Sequence, residues 1–478
     1  MPKSFFLLRT LQRTLPIAAL ALTGGAALGH AQGTPTAPAN STAPTAASFQ
    51  GSVPSGAATP DMLSLTLDDA VERGLRNNLG LLLSSTQIAN ARGQRLEELQ
   101  SLLPSVDGSI NESLMQSDLA AQGLRIPGFP SIIGPFGFTD LRIKLSWTLV
   151  DLPSLHNYMA ARHNFRATQL TAEDARQMVI LTVGNAYLLV LADQAAVDSA
   201  QAEVDTAQVS LNQAVANHEA GTAPRLDELR ARVDFQSQQQ QLIVAQNQLA
   251  KDRLALSRAI GMPLDQKCEL ADKAPYGAFD QPEIQASIQL ALKNRKDRQA
   301  VAEQTLAAAE QRKAATAERL PTLKADADYG DIGVNVNHSH GTGDASGTIT
   351  IPIFKEAQFR GDAAITQAQL EMARDQQSDL DAQIEADIRD SLLDISSSQK
   401  QVEVSRSNAE LAREALSDAQ QRYAAGVSDN LGVSEAQQSV AQADGQYISS
   451  LYRHNVAKLN LARSLGVAQN FKEYLGGK

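Results

Sequence analysis

The chain has 478 residues, a formal net charge of −11 and only 4% aromatic residues. The acidic balance excludes a nucleic-acid binder, which needs a basic footprint, and a single cysteine, Cys268, excludes an internal disulfide or a cysteine-built metal site. Alanine, glutamine, serine, aspartate and leucine dominate the rest, which suits long packed helices better than a mixed enzyme domain.

The chain opens with Lys3, Arg9 and Arg13, then an apolar run, Leu15–Leu28, then the small residues around Ala31. That order reads as a secretory signal over residues 1–31, and the run is short for the roughly 20 residues of a spanning helix. Removing its three cations takes the net charge from −11 to −14. Residues 32–62 are rich in Ala, Pro, Thr, Ser and Gly without hydrophobic periodicity, and read as a disordered leader.

From Thr66, which can cap a helix entered by Asp68 and Asp69, a helical pattern runs to about Leu103 and stops at Pro104. The period then changes. Leu141, Ile143, Leu145, Trp147 and Leu149 alternate with Arg142, Lys144, Ser146 and Thr148, which predicts a strand with one apolar and one polar face. Ser105–Met115 reads as a weaker strand, and the Gly- and Pro-rich stretch 123–138 as a long loop between them. A very long helix follows over Leu155–Asn217, in which Met178–Ala192 is the most apolar run; Gly184 and Asn185 make it a buried helix face, not a membrane span. Gly221 ends this helix, because glycine takes the left-handed conformation of a helix stop.

The same order recurs. Gly221 and Gly261 reappear as Gly426 and Gly466, both 205 residues later, while Leu75 and Pro104 reappear as Leu292 and Pro321, both 217 later. The chain is therefore a duplication, with an insertion between Pro104 and Gly221. In the second copy, Leu323–Tyr329 alternates, Ile349, Ile351 and Ile353 alternate with Thr348, Thr350 and Pro352, and a polar Gly/His/Asn loop, 333–347, lies between. Lys355–Ala425 reads as a helix roughly 100 Å long at about 1.5 Å per residue. Val197, Ala200, Val204, Ala207, Leu211 and Ala214, and again Val433, Ala436, Val440, Ala443 and Tyr447, keep the 3,4 spacing of coiled-coil-like packing. The boundaries are 63–268 for the first repeat, 269–281 for a linker and 282–478 for the second repeat.

Four barrel-type strands in a secreted chain cannot close alone. In lipid every backbone polar group must be paired within the protein, so strands span only as closed barrels, and the smallest have about eight. Copies must pool their strands: two give eight with a filled interior, three give twelve and leave a passage. The long helices then project to one side as a tube. The fold class is mainly α with a small β part: a duplicated unit of long coiled-coil-like helices plus four transmembrane strands.

At this point the residues resemble the TolC family of outer-membrane efflux proteins over Leu63 to about Leu475. The carriers are LTLDDAVERGLRNN, the junctions SLLPSV and ERLPTL, LSWTLVD and ITIPIFK, the turns HEAGTAPRLDEL and RYAAGVSDNLGV, and the ends LSRAIG and LARSLG. No single motif is specific; their order at matching offsets is. The resemblance implies a homotrimer with a twelve-stranded outer-membrane barrel on a periplasmic α-helical barrel. It implies docking to a periplasmic adaptor and an inner-membrane pump of the RND, MFS or ABC type, in a passive conduit for small molecules or proteins. It also implies that the tips after Gly221 and Gly426 close the tube. Tyr423 matches a gate tyrosine, Asp227 an acidic tip position and Glu435 an inward acidic ring. Ser428 stands where some members carry a gate arginine, with Arg225 on the other tip as an alternative. Gly221, Gly426, Ala425 and Val427 are the implied adaptor contacts.

Leu141, Ile143, Leu145, Trp147, Leu149, Ile349, Ile351 and Ile353 are the candidate membrane-facing residues, with Trp147 as an interface anchor or as packing at the barrel–helix junction. His338 and His340 fall short of the three or four ligands a metal needs, and the remaining histidines read as ordinary helix residues. Without a nucleophile–base pair, phosphate loop or paired catalytic carboxylates, the sequence offers no enzyme, no cofactor and no metal. The rival class is a periplasmic coiled-coil adaptor or scaffold, which would carry compact β-domains in place of two hairpins inside duplicated helices.

Overall fold

A computed structural model describes residues 46–121, 123–124, 126–272, 277, 279–428 and 430–475. The signal assigned to residues 1–31 and the first part of the leader lie outside these. In chain order the elements are β1 (Leu63–Leu65), α1 (Leu67–Asn77), α2 (Leu79–Gln100), β2 (Ser105–Asp118), β3 (Ile132–Val150), α3 (Leu152–Glu219), α4 (Arg225–Ile260) and β4 (Cys268–Leu270). The second half gives α5 (Ile284–Asn294), α6 (Lys296–Ala317), β5 (Thr322–Gly333), β6 (Ser339–Thr350), α7 (Glu356–Ala424), α8 (Asn430–Ser464) and α9 (Phe471–Leu475).

Thr66 caps α1 as its sequence predicts, with the Asp69 amide donating to Thr66 Oγ1 at 3.2 Å and the Thr66 amide donating back to Asp69 Oδ2. The single helix expected up to Leu103 is two. Asn78 takes an extended ψ of 130°; its Oδ1 accepts from the Gly80 amide at 2.9 Å, and its Nδ2 donates to the Phe49 carbonyl at 2.6 Å. Arg295, also extended with ψ 124° but without a side-chain cap, breaks α5 from α6, 217 residues on. Phe49 is buried, and a Cβ on Gly80 would lie 2.5 Å from its ring. The Val53 amide donates to Asn77 O, the Ser55 amide to Gly261 O, and the Thr59 amide to Gln266 Oε1. Residues 49–59, read from composition as part of a structureless leader, are thus bound to the first repeat. One buried aromatic and a run of backbone hydrogen bonds overrule the polar composition.

The two long helices, α3 and α7, have 68 and 69 residues. Each turns back into a shorter antiparallel helix, and Val204, Ala207, Ala214, Val433, Val440 and Ala443 of the expected seams are buried. The apolar run in α3 supplies a core: Val179, Val183 and Val190 pack with Leu256 of α4. The second core repeats it with Ile384, Ile388, Ile395 and Leu461, each 205 residues after its counterpart. Part of the linker expected at 269–281, residues 273–276 and 278, lies outside the described residues, and its described parts are bound to the repeats. β4 pairs in parallel with β1, Asp272 accepts from the Leu67 amide and the Tyr187 hydroxyl, each at 2.8 Å, and Phe279 stacks on Tyr474 at 5.8 Å.

β2, β3, β5 and β6 form one antiparallel sheet in the order β2-β3-β5-β6, with β2 and β6 as open edges. Two expected loops are partly strand. β3 begins at Ile132, inside the 123–138 stretch, and β6 begins at Ser339, inside the 333–347 stretch. Pairing with a neighbour supplies what glycine-rich sequence lacks: the Tyr329 side chain lies over Gly341 and Gly343, filling the space their missing side chains leave. The strand expected at Ile349–Ile353 ends at Thr350, whose partner Thr322 is the first residue of β5. Pro352 offers no donor to a ladder, so Ile351 and Ile353 lie past the strand.

Candidate functional site

Two regions collect the candidate residues: the sheet, and the ends of α3 and α7. In the sheet the polar face is wired. Arg142 donates to Asp140 at 3.1 Å and pairs with Asp328 on β5, and the Ser146 hydroxyl donates to Asp326 at 2.8 Å. The apolar face is bare: Ile143 is 61% exposed, and Leu145, Trp147, Leu149 and Ile349 are exposed too, with only Leu141 half-buried. Trp147 Nε1 donates to the Leu102 carbonyl at 3.1 Å, fixing the indole at the junction with α2. Such a sheet has its greasy side out and its charges in, the reverse of a soluble sheet. Its β2 and β6 edges are unpaired among the described residues.

At the other end, α3 and α7 stop by the same device. Gly221 has φ 73° and Gly426 φ 68°. The Thr222 amide donates to Asn217 O and the Gly221 amide to His218 O; Val427 to Arg422 O and Gly426 to Tyr423 O repeat the pattern. These paired bonds close the orphan carbonyls of each helix end.

The two turns lie side by side and line one cleft of about 710 Å³ with Asn217, Pro224, Asp227, Arg230, Tyr423 and Ser428. Tyr423 and Asp227, expected together, are brought together: they are 7% and 5% exposed. The basic residue at Asp227 is Arg230, 3.8 Å away and one turn on. Arg225 is exposed and in no ion pair among the described residues. Glu435 is exposed and outside the cleft, while Ala425 and Val427 are exposed at the turn.

Sequence reasoning missed the ties above the cleft. The Ser434 hydroxyl donates to the Asp234 carboxylate, Gln437 Nε2 to Ser210 Oγ at 3.0 Å, and Arg413 to Asp444 at 2.7 Å. They join α8 to α4, to α3 and to α7. Burial raises the Asp234 carboxyl above the usual carboxylate range. No sequence signal marks such pairs, since each is an ordinary polar residue on a polar helix. No group of three or more metal-capable side chains occurs among the described residues.

The model of a family described as outer membrane efflux protein matches residues 70–262 and 287–467. The probable efflux pump outer membrane protein SepC of Pseudomonas putida is 25% identical over 418 residues, covering 83% of this chain and 82% of that protein. The solvent efflux pump outer membrane protein SrpC of P. putida is 24% identical over 478 residues, covering 96% and 99%. Among solved structures, the Campylobacter jejuni CmeC outer membrane channel superposes with a TM-score of 0.73 at 19% identity, covering 86% of this chain and 89% of that one. The outer membrane protein VceC of Vibrio cholerae gives 0.73 at 18%, covering 84% and 96%.

Proposed function

This chain belongs to the outer membrane efflux protein family, and on that footing we propose that three copies close a twelve-stranded barrel and form a passive exit duct. It is an outer-membrane component of efflux machinery, with its sheet in the membrane and its helices in the periplasm. The observation that carries the trimeric duct is the inverted sheet: four strands, apolar face bare, polar face bonded, both edges open. Open edges in hydrocarbon leave backbone groups unpaired, so the edges must meet those of other copies. Twelve strands leave a lumen that eight would fill. Helices of 68 and 69 residues, about 100 Å each, carry the lumen on through the periplasm.

In this duct the cleft of Tyr423 and Asp227 lies at the periplasmic entrance. The ties of Asp234 and Gln437 hold α8 against the first hairpin there. Glu435, exposed in each of three copies, places a ring of carboxylates that draws cations and hinders anions. Val427, 71% exposed at the turn, is the contact for a periplasmic adaptor, which links the duct to an inner-membrane pump. Relatives named for solvent and toluene efflux support small apolar molecules as cargo. The chain performs no chemistry on that cargo. The rival scaffold reading lacks any account of the inverted sheet.

Reconstitution in planar bilayers tests the duct. Discrete conductance steps are the expected result; detergent-solubilised protein that never conducts would overturn it. A photo-crosslinker at Val427 in cells is expected to capture an adaptor, and capture from the outward strand residue Ile143 but never from Val427 would remove the tip as the contact.

A further inference from the structure

The two hairpins of the sheet differ in height. Pairing of β3 with β5 stops at Thr139↔Gly333, yet β3 begins seven residues earlier, at Ile132, and those residues pair only with β2. At about 3.3 Å per residue this is a two-stranded ribbon roughly 20 Å tall, standing above the rest of the sheet.

Its faces follow from register. Arg142 and Asp140 share the polar face, being hydrogen-bonded to each other. Pairing with β2 is unbroken from Ser146 to Phe136. Phe138, opposite Ser113, and Phe136, opposite Met115, therefore continue the polar face upward. The row just below is Asn111, Asp140, Ile332 and His340. On the other face the apolar series Leu149 to Leu141 gives way to Thr139, flanked by Glu112 and Gly333, with Asp331 beside Leu141. That polar row marks where the strands leave hydrocarbon, after about nine residues of the kind that span a bilayer. Above it the outward face carries Leu114 opposite Gly137. At one level, then, the lumen face changes from charged to aromatic while the outward face loses its apolar run.

A lone two-stranded ribbon in water is marginal without a surface to pack on, and aromatic rings facing an open water-filled mouth are unfavourable. The geometry points to an apolar collar: the ribbons of three copies lean together over the pore axis at the extracellular end, with Phe136, Phe138 and Met115 of each covering those of the others. This rests on the trimeric duct proposed above. An apolar ring admits apolar cargo outward while resisting the passage of ions by dewetting, so the collar is a second constriction at the end opposite Tyr423 and Asp227.

Cysteine coupling tests it. In full-length protein carrying Cys268→Ala, Phe138→Cys and separately Phe136→Cys are treated in outer membranes with a short bismaleimide, with Ile143→Cys on the outward face of the same strand as control. The collar predicts covalent dimers at 136 or 138, at least about tenfold above the control, because neighbouring cysteines are held at high effective concentration; with one cysteine per chain, the third copy keeps a single-ended adduct. Coupling no greater than the control, in particles that are trimeric and conduct, overturns the collar and leaves the duct standing. Particles that are neither trimeric nor conducting overturn the duct itself, and the collar with it.

Discussion

Tyr423 and Asp227 stand 196 positions apart and share one cleft because two identical helix stops set their turns side by side. Glu435 is different: it is exposed and projects from α8 without a cation partner among the described residues. The electrostatic role proposed for it is readable in current. Glu435→Ala is expected to weaken divalent-cation block of the reconstituted channel several-fold, and an unchanged block would remove it from the entrance. Asp193 on α3 is a separate case. Burial, and then Asp252 on α4, push its carboxyl up to about 7. The folded state then holds a proton that the unfolded chain releases near the ordinary carboxylate pKa of about 3.9. This contribution is fully present below the unfolded value and is lost as pH rises through about 7. Thermal stability is expected to fall between pH 5 and pH 8 in the native protein and less steeply in Asp193→Asn; equal slopes would show that Asp193 does not titrate in that window.

At the scale of elements, the helix stops can be isolated from everything else. A Cβ on Gly426 would touch nothing within 4 Å, so Gly426→Ala costs only the left-handed backbone, about 1–2 kcal/mol. Gly361, inside α7 and equally unobstructed, should respond oppositely, with Gly361→Ala stabilising by up to about 1 kcal/mol. Denaturation midpoints that moved the same way in both variants would contradict the assignment of Gly426 as a helix stop. What the sequence made legible follows the same division between local and distant causes. Long helices, their glycine ends, the Thr66 cap and the alternating β3 segment are set by neighbours in the chain, and all were readable. The breaks at Asn78 and Arg295 were half-readable: they lie inside the LRNN and LKNR echoes, but nothing in their propensity says extended. The missed pieces depend on partners far away in sequence. β6 is a strand because β5 and Tyr329 lie beside it, residues 49–59 are fixed because Phe49 finds a core, and the Asp234–Ser434 tie joins positions 200 apart. At the tip, Tyr423 and Asp227 came from the family resemblance and lie in one cleft, whereas the Arg230–Asp227 pair, one helical turn apart on α4, was not foreseen.

For the whole molecule, duplication supplies the design. Two helix–hairpin–helix units give two packed cores at matching positions, with Asp272 bonded to the first unit and Phe279 stacked on Tyr474 of the second. The same duplication yields four strands, enough for a sheet and too few for a barrel. Most of the apolar side of that sheet is exposed among the described residues, where its two edge strands also find no partner strand. Lipid satisfies the first deficit, and in the proposed trimer other copies satisfy the second. The decisive measurement is the number of chains per particle in the solubilised outer-membrane protein, by native mass spectrometry. Three chains are predicted, persisting after the helical tips are altered; a single chain, or a dimer with its eight strands, would contradict the account.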